Sequence, residues 1–160
     1  MISYMIDGFG FLLINREVVS DDIASFEYTP RPEFPGPFTV FNEPTEGSLL
    51  SKFCSHLLEL KPHVIVTYNG DSFDWPYIEQ RCTVNGINLQ QETGFARSTS
   101  DNGAFFVSPC VTHIDCIHWV RRDSYLPAGS HGLKAVCRAK LGCPSPVSLP
   151  FPMRWLQRTH

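Results

Sequence analysis

"VTYNGDSFDWPYI", residues Val66 to Ile78, sets two aspartates three residues apart directly after a short apolar run. That run belongs to "HVIVTY" (His63 to Tyr68), continuous and of strand length, the kind buried on both faces in α/β folds. A helix is predicted to follow, from about Trp75 to Val84. Asp71 or Asp74 then has an ordinary role as its N-cap, accepting a backbone N–H, with Pro76 tolerated in the first turn. A carboxylate delivered to the C-terminal edge of a buried strand is also where α/β folds place their sites. The two roles are compatible, because one short side chain can cap a helix and still face a metal. Asn69 before Gly70 is a natural turn residue, and Phe73 beside an apolar strand suits a core position.

Working outward from this stretch gives an α/β order. Upstream, Leu49/Leu50, Phe53/Cys54 and Leu57/Leu58 recur every four residues, which predicts a helix capped by Asn42 or Thr45 and ended by Pro62. "FTVF" (Phe38 to Phe41) is a short strand, preceded by the proline-rich, irregular "TPRPEFPGP" (Thr29 to Pro37). The first fifteen residues read as a hairpin about Asp7-Gly8, a pair suited to a type I′ turn, although Phe9-Gly10 would lengthen the loop. Downstream, Thr93 to Phe105 reads as a polar loop, and "VTHIDCIHWV" as a strand running into a short helix. Ser130 caps a last helix ending at Gly142, with Leu133, Val136, Cys137 and Leu141 on one face. The tail after it holds prolines and no persistent period.

Composition bounds the possibilities. A chain of 160 residues fits one domain, and 42% hydrophobic residues with twelve phenylalanines supply a core. A net charge of -3 gives no overall basic field, so any nucleic-acid binding has to come from a local patch. Arg121, Arg122, Lys134 and Arg138 are candidates for phosphate contact, but their charge density suits a solvated face. There is no signal-peptide pattern at the N-terminus and no apolar run long enough to span a membrane, so an intracellular, soluble protein is expected. Six cysteines include no C-x-x-C pair, and six histidines are scattered. If "CVTHIDC" is one strand, Cys110 and Cys116 share a face about 20 Å apart while His113 points the other way. Zinc is therefore not expected there, and reduced, mostly buried thiols are.

The opening stretch also carries a family resemblance. "TYNGDSFDWPYIEQR" resembles the second exonuclease motif of the family B DNA polymerases, an Asn, three residues, Phe or Tyr, then Asp; here these are Asn69, Phe73 and Asp74. "MISYMIDGFGFLLINREVVS", "GPFTVFNEP", "CIHWVRRDSYLPAGSHGLKAV" and "AKLG" extend the resemblance over residues 1–142, leaving 143–160 as a divergent proline-rich tail. Gly132 departs from the pattern, where asparagine is expected. The resemblance implies the catalytic chain of a nuclear, replicative DNA-directed DNA polymerase that also edits its product, and a ribonuclease H-like α/β fold with a mixed sheet in the order 3-2-1-4-5. It implies two Mg²⁺ ions held by four carboxylates, with Asp74 serving the metal on the leaving-group side. Asn69 and Phe73 would hold the single-stranded primer 3′ end. The Asp-x-Glu pair belongs on a first strand expected upstream of Met1, and a Tyr-x-x-x-Asp motif is expected after residue 142. The sheet is thus expected to be incomplete, with a gap or an unusual closure between the hairpin and "HVIVTY", and the isolated chain inactive. Zinc or iron–sulfur clusters and the other polymerase subunits belong to the full-length family. A non-catalytic module of the same fold, binding single-stranded nucleic acid or a replisome partner, is the other class of reading.

Overall fold

The computed structural model describes residues 1–27, 36–101, 103–122, 126 and 131–141. Residues 1–115 form one compact unit, and a second begins at Cys116. The first unit opens with β1 (Ile2–Ile6) and β2 (Phe9–Asn15), joined by Asp7 and Gly8 at φ values of 49° and 85°. Both turn residues are left-handed, as a type I′ turn requires, and Phe9-Gly10 belong to β2 rather than to a longer loop. β3 (Phe26–Glu27) and β4 (Pro37–Glu43) complete a four-stranded sheet in the order β1-β2-β4-β3, with β2 and β4 parallel. β4 packs so closely on β2 that a Cβ on Gly10 would meet the Phe38 ring at 2.7 Å.

One face of this sheet is covered by α1 (Glu46–Leu60). Thr45 is its N-cap, accepting the Ser48 N–H at 3.1 Å, and Lys61 ends it in the left-handed region. Leu49, Leu50, Phe53 and Cys54 point into the core, while Leu58 is exposed because it falls off the buried stripe. His56 is buried among aromatics: Tyr4 hydrogen-bonds its Nδ1, and the Phe11 and Phe41 rings meet it edge-on.

β5 (Val64–Thr67) pairs in parallel with β8 (Thr112–Asp115) as a separate two-stranded sheet. Between them run α2 (Asp74–Val84), the short α3 (Leu89–Thr93), and an antiparallel hairpin of β6 (Ala96–Ser100) and β7 (Gly103–Val107). The polar loop expected over Thr93 to Phe105 is therefore a hairpin. Its β6 strand is built of small and polar residues that stay largely exposed, so it lacks the apolar alternation that marks a strand. Phe95 and Phe106 at its base join Leu13, Leu50, Phe53, Trp75, Cys82 and Leu89 in one core. Glu46 and Arg81 bind α1 to α2 through a two-pronged ion pair, with Asn85 also donating to Glu46 at 3.1 Å.

The expectation that "HVIVTY" is buried on both faces is not met. Val64 is 47% and Val66 62% exposed, because β5 has a covering layer on one side only among the described residues. Among the described residues β1 and β5 lie in separate sheets and do not pair. The strand "CVTHIDC" is shorter than its cysteines suggest. Neither Cys110 nor Cys116 lies on β8, and His113, on it, is almost fully buried. Of the described cysteines only Cys54 and Cys82 are buried; Cys110 is exposed, and Cys116 and Cys137 are intermediate.

The second unit contains α4 (Cys116–Arg122) and α5 (Leu133–Leu141). Lys140 stands over the Trp119 ring. Arg121, Arg122, Lys134 and Arg138 are exposed, as a solvated face requires, and Val136 is buried, but Leu133 is exposed rather than part of an apolar face. The Ser130 cap, most of the Thr29 to Pro37 stretch, Gly142 and the tail 143–160 lie outside the described residues. Among the described residues no helix is long and apolar enough to cross a membrane.

Candidate functional site

The end of β5 and the start of α2 are joined by a turn whose shape is set by its residues. Asn69 adopts a left-handed conformation at φ 63°, which Asn tolerates better than most side chains. Gly70 is required by space: a Cβ there would lie 2.4 Å from Thr67 Oγ1. The Asn69 carbonyl accepts from the Ser72 and Phe73 N–H groups, and the Gly70 carbonyl from Trp75 at 3.0 Å. Phe73 is the N-cap residue of α2 and provides no side-chain cap. Neither aspartate is the cap that local pattern suggests, because Asp74 is already the first helical residue and Asp71 is engaged elsewhere.

Asp71 is buried and accepts the Phe106 N–H at 2.7 Å, which ties the turn to β7. Asp115, also buried, ends β8 directly opposite Thr67. Its two oxygens accept the N–H groups of Asn69 at 2.6 Å and Asp71 at 3.1 Å. One carboxylate oxygen of Asp71 and one of Asp115 lie within 4.8 Å of each other. Behind them His113 is wedged in place. Its Nε2 receives the Trp75 indole N–H at 3.1 Å and lies 2.9 Å from Thr67 Oγ1. An indole only donates, so Nε2 carries the lone pair, and Nδ1 carries the hydrogen it offers to the Phe106 carbonyl at 3.1 Å. The Trp75 ring stacks on Phe95 with centroids 4.3 Å apart.

On this scaffold three residues singled out in the sequence stand together at one end of the β5–β8 pair. Asn69 forms the turn. Phe73 is 68% exposed and is not a core residue, despite its apolar neighbours in sequence. Asp74, at the first turn of α2, is exposed as a residue, but partial burial of its carboxyl raises it from its ordinary value, and the negative charge of Asp115 adds to this. Sequence reasoning missed Asp115 altogether and set Asp71 aside. Asp115 lies 44 residues from Asp71, so no local spacing joins the two.

The family profile for the exonuclease domain of DNA polymerase family B matches residues 1–136. The chain belongs to the family B DNA polymerases. Among curated family B relatives, the catalytic polypeptide of DNA polymerase epsilon from Aspergillus fumigatus is 58% identical over 142 residues, covering 89% of this chain. Its namesake from Schizosaccharomyces pombe is 55% identical over 149 residues, covering 93% of this chain, and that of Saccharomyces cerevisiae is 54% identical over the same length. The chain spans only 6–7% of the length of these relatives. It is a stretch of the family B exonuclease domain, a mixed α/β domain, and the resemblance carried by Asn69, Phe73 and Asp74 falls inside the matched residues.

Proposed function

We propose that the chain is part of the proofreading 3′–5′ exonuclease domain of a replicative polymerase of the epsilon type, acting on the primer 3′ end in the nucleus together with the other polymerase subunits. Residues 1–142 are the domain portion and 143–160 a divergent tail. Asp74 is the metal-binding, catalytic carboxylate, and Asn69 and Phe73 hold the single-stranded end. The observation that carries this reading is the Asn69, Phe73 and Asp74 motif at the start of α2, inside the residues matched by the exonuclease-domain profile and with the Phe73 ring exposed. The buried carboxylates beside them are occupied by backbone N–H groups.

The donor set fits a share of a Mg²⁺ site rather than a whole one. Mg²⁺ is commonly held by one or two carboxylates with substrate phosphate and water completing its shell, and Asp74 is a carboxylate of that kind. When bound, the metals of such a site activate the attacking water and stabilise the leaving oxygen. This chain's own residues place the substrate. Phe73 offers an exposed face for stacking on a terminal base, worth about 1–3 kcal/mol. Asn69 forms the turn that leads to it.

The lack of pairing between β1 and β5 supports the further reading that the ribonuclease H-like sheet is incomplete within these residues. Among the described residues each of those strands pairs on one edge only, as the loss of a strand bearing the Asp-x-Glu pair would leave them. With one of four carboxylates, the 160-residue chain should not cleave DNA. End-labelled single-stranded DNA incubated with the purified chain and Mg²⁺ or Mn²⁺ tests this: no shortening above background is expected. Shortening that disappears in Asp74→Ala would show the site to be sufficient without the other acids.

A further inference from the structure

We propose that Asp115 is a positioning residue for this site, holding the Asn69–Asp71 turn from the end of β8 and so fixing where Phe73 and Asp74 stand. The proposal rests on the reading of Phe73 and Asp74 given above. Asn69 holds the left-handed conformation of the turn, and α2 begins without a side-chain cap. The N–H groups of Asn69 and Asp71 find their acceptor outside the turn.

Asp115 supplies the hold in a specific way. The parallel register puts it opposite Thr67, the last residue of β5, so its side chain meets the chain as it leaves the sheet. Its two oxygens take two N–H groups on alternate residues of the turn, at 2.6 and 3.1 Å. Asp71, between Gly70 and Ser72, passes the constraint on by taking the Phe106 N–H at 2.7 Å. The turn is thus fastened to β8 and β7, and the residues that follow are exposed on a fixed base. Asp115 is 8% exposed, a burial that fits a support and not a ligand open to substrate. An asparagine in its place keeps one acceptor but turns an amide N–H₂ toward a backbone N–H, so one of the two bonds is lost.

The test uses the full chain as wild type, Asp115→Asn and Phe73→Ala, with a short single-stranded oligonucleotide carrying 2-aminopurine at its 3′ end, in chelator so that no metal intervenes. Circular dichroism melts monitor the fold. Asp115→Asn should keep a cooperative melt, bind the probe about tenfold more weakly, as expected for a lost bond to a charged group, and lose the stacking change in 2-aminopurine fluorescence. Amide hydrogen exchange at Asn69 and Asp71 should be slow in the wild type and fast in Asp115→Asn, with Leu50 and Phe53 unchanged. Wild-type binding and stacking by Asp115→Asn would overturn the proposal, as would unchanged exchange at Asn69 and Asp71. If Asp115→Asn does not fold, exchange in the wild type decides: rates at Asn69 and Asp71 as fast as in an open loop sink the idea, and slow rates uphold it. If Phe73→Ala leaves the fluorescence change intact, the stacking assignment fails instead, and Asp115 is then judged on exchange alone.

Discussion

The four-stranded sheet and the β5–β8 pair are made of similar apolar strands and end in different states. In the first, β2 lies between β1 and β4 and beneath α1, and Leu12, Leu13 and Ile14 are at most 2% exposed. In the second, each strand has one neighbour among the described residues, and Val64, Val66 and Ile114 are left 45–62% exposed. The difference lies in covering layers and not in hydrophobicity. A valine contributes to stability only when something excludes water from it. The described residues share one core, and within it β2 is the covered strand, while the candidate site stands at the end of the less covered β5–β8 pair.

The strongest way to break this contrast is to open the covered half. Leu13→Ala removes a side chain with no exposure from the middle of the core, and should cost about 2–5 kcal/mol, read as a lower denaturant midpoint. A cost no larger than that of a surface change would mean that the core does not depend on β2. A milder lever on the same half is acid. Burial, and after it the positive charge of Lys52, holds His56 below its ordinary value of 6.5. The unfolded chain then takes up the proton more readily than the folded one. The contribution of neutral His56 is complete above about pH 6.5 and declines as pH falls toward the lower folded value. The thermal midpoint should drop across that window, and His56→Gln should flatten the drop; an equal slope in both proteins would exclude His56 as its source. The smallest effect belongs to the uncovered half. Val66→Thr, on the exposed face of β5, should change stability by no more than ~0.5 kcal/mol. A loss comparable to Leu13→Ala would show that this face is covered after all.

The same contrast explains what the sequence made legible. The Asp7-Gly8 turn and the four-residue repeat of α1 follow from local rules, and both are present in the fold. The β6–β7 hairpin was hidden because "ARSTS" has the polar composition of a loop and becomes a strand only through its pairing with "GAFFV". At the site, the motif residues Asn69, Phe73 and Asp74 could be named from the family resemblance, where local pattern alone made them turn, core and cap residues. The roles of the carboxylates could not, because those depend on Asp115 meeting the turn from a strand 44 residues further along.

Trp75 gives the site an optical property of its own. Its indole is nearly fully buried, stacked on Phe95 and hydrogen-bonded to His113, and it is the residue next to Asp74. Its emission should therefore be shifted to the blue of a solvated indole, and should respond whenever the start of α2 moves against β7 and β8. Trp119, about half exposed, contributes at longer wavelengths. The chain thus carries an intrinsic reporter at its candidate site, so movement of that turn can be followed by light without attaching a label.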